Sequence, residues 1–209
     1  MKNERRILPV VAGLTGLTWM VSVLLISANH KGITASGDVA YDWSNRAHTV
    51  AVLLLLATVV TMWRILRDAK VRGEHAALAL VVGAALMLAG NVLSFWGTLF
   101  TGGTSEQFWG GWAGWLVFLL GGLLTVAGFI GLALAARQWA QVSLARRWQI
   151  GFVGLFLMAT TITWAGSPVA TLVPALLAAF TLLSAGTTIA RAQPGADHPT
   201  STQPVAASR

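Results

Sequence analysis

Long apolar runs recur along this chain, and basic residues collect in every second gap between them. The runs cover about 7–27, 47–63, 76–100, 112–136, 150–166 and 169–190. At 1.5 Å of rise per residue, each is long enough to carry an α-helix across a hydrocarbon core of ~30 Å. Six such runs in succession leave too little polar surface for a water-facing fold. Only 10% of the 209 residues are charged, where soluble domains carry about 25%. Lipid is therefore the solvent that this pattern requires for most of the chain.

The charges then orient the runs. Lys2, Arg5 and Arg6 precede the first run; Arg64, Arg67, Lys70 and Arg72 follow the second; Arg137, Arg146 and Arg147 separate the fourth from the fifth; Arg191 and Arg209 follow the sixth. Basic residues in alternate connections mark the cytoplasmic side of a membrane protein. With the N-terminus inside, all four clusters fall on one side. The expected architecture is an all-α, polytopic membrane helix bundle with six transmembrane helices over 1–191 and both termini cytoplasmic. A cell-membrane location follows. The net charge of +7 is spent on orientation, not on a basic face for nucleic acid.

The first run has a basic leader and resembles a signal sequence in outline. It is longer than the ~7–15 residues of a signal h-region, so it reads as a retained span. The segment 192–209 is rich in Pro, Ser, Thr and Ala, with almost no large apolar residues. It reads as a disordered cytoplasmic tail, because it cannot bury enough surface to offset its ordering entropy.

Motifs that carry chemistry are scarce. The chain has no cysteine, which excludes thiolate catalysis, Cys-type zinc sites and iron–sulfur ligation within it. Every acidic side chain reads as lying outside the six runs, as does Arg46, which argues against a proton- or sodium-coupled carrier. His48 opens the second run and His75 precedes the third from the opposite side, about 25 Å apart in depth. They cannot share a haem. No cofactor and no metal are expected, and an enzyme is disfavoured.

Counting depth from the basic ends does gather one constellation. His48 lies about 24 Å outward of Arg64, Asn91 about 25 Å outward of Glu74, and Thr161 and Trp164 roughly 20–25 Å outward of Arg147. These residues should share one stratum in the outer third of the bilayer, with Asp42 and Trp43 at its mouth. Asn91 is the only carboxamide within a run, and a buried amide needs partners in hydrocarbon. Two readings stay open: an interhelical hydrogen bond that fixes packing, or a small polar pocket open to the outside.

The fourth run and its approach carry Gly110, Gly114, Gly121, Gly122, Gly128 and Gly131. Small residues let helix backbones approach closely, so this helix should sit at the bundle centre or at a seam with a second copy or a partner membrane subunit. The functional expectation is a non-enzymatic accessory, binding or regulatory component. One alternative is a passive carrier or binder of a small lipophilic molecule using the outer pocket; a membrane-embedded haem or redox protein is the other.

Overall fold

Asp38 starts the second helix earlier than hydropathy suggests. Its carboxylate accepts from the backbone N–H groups of Ala40 (2.8 Å) and Tyr41 (3.3 Å), satisfying donors that a helix start leaves open. In the computed structural model, which describes residues 2–30, 38–102, 109–139 and 142–192, six long helices follow in order. They are α1 (Lys2–Asn29), α2 (Val39–Asp68), α3 (Glu74–Thr101), α4 (Trp109–Ala135), α5 (Leu144–Thr163) and α6 (Pro168–Ala190). Among the described residues the fold is all-helical. Five of these helices are long and apolar enough to cross a membrane; α5, 20 residues long and opening on Leu-Ala-Arg-Arg-Trp-Gln, is the exception. The expectation of a disordered tail falls on residues that, from 193 onward, lie outside the described ones.

Local chemistry explains the helix ends. After α2 the N–H of Val71 reaches the carbonyl of Leu66, and that of Lys70 the carbonyl of Arg67. This is a Schellman stop, with Lys70 in the left-handed conformation (φ 52°) that glycine usually supplies. Ser143 and Ser167 cap α5 and α6 by accepting from the backbone of Arg146 (3.4 Å) and Ala170 (3.1 Å). Pro168 stands at the first position of α6, where its fixed φ suits a helix start. Pro174 follows in the second turn of the same helix.

Each helix packs on its neighbours in sequence, and α6 returns to α1, so the six close into a ring. The tightest seams are α3/α4 and α1/α6, and small residues make both. A Cβ added to Gly90 would stand 2.4 Å from the Gly114 carbonyl oxygen, and one at Gly121 would stand 2.6 Å from the Gly83 oxygen. Across α1/α6, a Cβ at Gly16 would lie 2.7 Å from Ala179 Cα. Glycines 83 and 90 on one helix and 114, 121 and 128 on the other recur every seven residues. That is the repeat that keeps a seam facing its partner in left-handed packing. The glycine face of α4 is thus occupied by α3 of the same chain.

The interior is filled by Trp19, Leu55, Met62, Leu80, Phe129 and Leu182, among others, all essentially inaccessible. The outward faces carry Leu14, Leu53, Leu120, Val173 and Phe180, which are about half exposed or more. An apolar surface on every helix of a ring has no aqueous explanation and suits lipid.

Candidate functional site

The reading that no ionisable side chain enters a span needs correcting. Because α2 begins at Val39, Asp42 and Arg46 are helical, and they are buried to 7% and 8% exposure. Positions 42, 45, 46 and 49 fall at i, i+3, i+4 and i+7, a single helical stripe. A hydropathy average over the segment records its polarity but not the face it occupies. That face lies inside the ring, where the end of α3 meets it.

Arg46 is held by the shape of α3. Between Val92 and Trp96 this helix widens into a π-turn, closed by the Gly97 N–H on the Val92 carbonyl. Such a turn breaks the regular i to i−4 pairing. Arg46 Nε donates to the Phe95 carbonyl at 2.8 Å, and its guanidinium also lies 4.9 Å from the ring centroid of Trp43. Trp43 is itself half exposed.

Asn91, at the start of the π-turn, is 2% exposed. Its Oδ1 accepts from Thr49 Oγ1 at 2.6 Å, and its Nδ2 donates to the Asn45 carbonyl at 3.3 Å. Thr49 Oγ1 in turn accepts from Trp96 Nε1 at 2.9 Å. His48 is equally buried and pairs with α1: its Nδ1 lies 2.7 Å from Ser22 Oγ, and its ring meets the edge of Trp19 at 4.6 Å. Trp19 Nε1 extends the chain of contacts by donating to Thr160 Oγ1 at 3.0 Å.

His48, Asn91 and Trp164 share one narrow space, together with Asn45, Ser94 and Phe118. It is too tight to hold a water molecule. Aromatic rings close it: Trp115 stacks on Phe118 (5.6 Å, 7° between planes) and on Trp164 (5.1 Å, 12°), and Tyr41 meets Trp164 edge-on. Thr161 lies elsewhere, in a second hollow with Met87 and Thr125, where its hydroxyl donates to the Leu157 carbonyl. The neighbouring Thr160 is the threonine that joins the network.

Several partners escape a count by depth: Trp19, Ser22, Asn45, Thr49, Ser94 and Trp115. The spacing of Asp42, Asn45, Arg46 and Thr49 was the available signal for two of them. Asn45 carries an open group within this space. Asn45, 1% exposed, donates Nδ2 to the Tyr41 carbonyl at 3.0 Å, but its Oδ1 has no hydrogen-bond partner among the described residues. A buried acceptor without a donor costs about 1–3 kcal/mol. Also among the described residues, no three His, Asp or Glu side chains converge as metal ligands would.

This arrangement is a hydrogen-bonded polar seam with an open acceptor at Asn45 Oδ1, walled by stacked aromatic rings. Comparison with protein-family models, with curated proteins and with solved structures gives no match for the chain.

Proposed function

We propose that this chain is a six-span, non-enzymatic component of a cell membrane with both termini cytoplasmic, acting as an accessory, binding or regulatory subunit. The sixth span is α5. Its 20 residues cover ~30 Å, and it stands between α4 and α6 in the ring. Arg146 and Arg147 open it at the end that also carries Arg137, which supports a common cytoplasmic face for the basic clusters.

One observation carries the functional reading. The buried polar groups around His48 and Asn91 bond mainly to one another, and the space between them admits no water. Hydrolytic, proton-relaying and ion-conducting sites need a reachable polar group or a wet path, whereas a dry network fixes helix positions. Since the glycine face of α4 is filled within the chain, a partner would meet the ring on its lipid-facing surface.

Extraction in mild detergent from the native membrane tests this. The accessory reading expects a second polypeptide at fixed stoichiometry; a homogeneous single chain at native abundance rejects it. For topology, the absence of cysteine makes single-cysteine labelling clean. Ala165→Cys should react with an impermeant maleimide on intact cells, and Lys70→Cys only after permeabilisation.

A second reading rests on Asn45. Its open Oδ1 beside stacked Trp115 and Trp164 would suit a small lipophilic molecule bearing one hydrogen-bond donor. Binding would require Trp164, at the end of α5, to swing aside. Saturable quenching of tryptophan emission by such a ligand, lost in Asn45→Leu, would support this reading over the first.

A further inference from the structure

Between the cytoplasm-proximal halves of α4 and α5, at the arginine-bearing end of the ring, lies an open trench of about 240 Å³. Its floor is made of small residues: a Cβ on Gly151 would stand only 3.3 Å from Ala133 Cβ. Leu134 and Phe152 form apolar walls, each substantially exposed. Trp148, 60% exposed and stacked on Phe152 at 5.7 Å, stands near the mouth, and Arg137 and Arg147 line it.

The charge at this mouth has no counterpart in its own half of the chain. From residue 107 to residue 196 the sequence contains no Asp or Glu. Elsewhere at this end carboxylates are supplied: Arg64 lies 3.9 Å from Glu4, and Arg67 lies 3.3 Å from Asp68. Among the described residues neither Arg137 nor Arg147 has a carboxylate within 4.0 Å. Arg147 instead donates Nε to the Val142 carbonyl at 3.2 Å, a contact that fixes its stem.

We propose that this trench binds one anionic phospholipid of the adjacent leaflet. The acyl chain lies on Ala133 and Gly151 between Leu134 and Phe152, and the phosphate sits between the two guanidinium groups. The parts match that ligand in kind. Guanidinium forks recognise phosphate oxygens in pairs, a tryptophan at the mouth sits at headgroup level, and basic pockets between helices on the cytoplasmic side select anionic headgroups. A zwitterionic lipid fills the same trench without matching the uncompensated charge. The proposal requires the chain to lie in a bilayer, and it stands whether or not the accessory reading holds.

The test uses the full chain in nanodiscs of equimolar phosphatidylglycerol and phosphatidylcholine, released into native mass spectrometry. One retained phosphatidylglycerol is expected, favoured over phosphatidylcholine by about 30-fold if each arginine contributes at its usual strength near a membrane surface. The R137Q/R147Q double variant should lose that preference, while R5Q/R6Q, which removes the same charge at the start of α1, should keep it. L134W, which fills the trench and leaves both arginines in place, should lose the adduct; it also decides the matter if R137Q/R147Q fails to fold. Equal retention of the two lipids by the unmodified chain would overturn the proposal. So would an undiminished preference in R137Q/R147Q, equal loss in R5Q/R6Q, or an unchanged adduct in L134W.

Discussion

Thr49 donates its hydroxyl to Asn91 Oδ1 at 2.6 Å across the α2/α3 seam, and both residues are buried. The bond ties the polar stripe of α2 to the start of the π-turn in α3. It places the one carboxamide that stands out in the apolar runs inside a network, not at a free surface.

Removing either partner should therefore destabilise the bundle by a similar and modest amount. Hydrogen bonds between membrane helices average about 0.6 kcal/mol and reach about 1.7. Asn91→Leu and Thr49→Val should each cost about 1 kcal/mol, and the double variant should cost clearly less than the sum of the two. Reversible unfolding in mixed micelles with rising dodecyl sulfate measures all three. Strict additivity would mean that the two side chains act independently.

Asn45 should behave in the opposite way. Among the described residues its Oδ1 has no donor, and its Nδ2 donates to the Tyr41 carbonyl, one helical turn back. Asn45→Leu keeps the size, removes the stranded acceptor, and should leave stability unchanged or raise it by about 1 kcal/mol. A loss as large as that of Asn91→Leu in the same titration would show that the Asn45 amide has a donor after all.

How far the sequence reveals this arrangement depends on whether a property is carried by height or by angle. Height along a helix is legible, because 1.5 Å per residue needs no tertiary information. His48, Asn91 and Trp164, placed at similar heights by that count, line one space. Angle is harder: adjacent residues differ by about 100° around the axis, so Thr160 bonds Trp19 while Thr161 faces another hollow. The early start of α2 is concealed for a related reason, since Asp42 and Arg46 lower the local hydropathy although their side chains are buried. The π-turn has no signature in one helix alone. Arg46 of α2 takes up the Phe95 carbonyl within it, and that contact exists only once the two helices are packed.

The seven-residue glycine repeat makes a sharper prediction about packing. Gly90→Ala would drive a methyl group to 2.4 Å from the Gly114 oxygen and the Phe118 nitrogen, both backbone atoms that cannot rotate away. The helices must separate, at a cost of about 1–3 kcal/mol. Gly13 on α1 is the matched control, because its added Cβ would meet only Leu183 Cδ1 at 3.5 Å, an ordinary contact. Gly13→Ala should be neutral or stabilising, since alanine is the better helix former. Unfolding midpoints that fall equally for both variants would remove the α3/α4 seam from this account.

The turn after α2 offers a gain instead of a loss. Lys70 occupies the left-handed region at φ 52° and closes the Schellman stop, with Val71 buried behind it. A side chain with a Cβ loses about 1–2 kcal/mol in that conformation relative to glycine. Lys70→Gly should recover about 1 kcal/mol, somewhat reduced by the greater freedom of glycine in the unfolded chain. Lys70→Ala removes the same charge but keeps the Cβ, and it should recover nothing. The two variants thus separate backbone strain from electrostatics at the most basic turn of the ring. A gain common to both would assign the effect to relief of repulsion among Arg67, Lys70 and Arg72, and would leave the left-handed residue without a measurable cost.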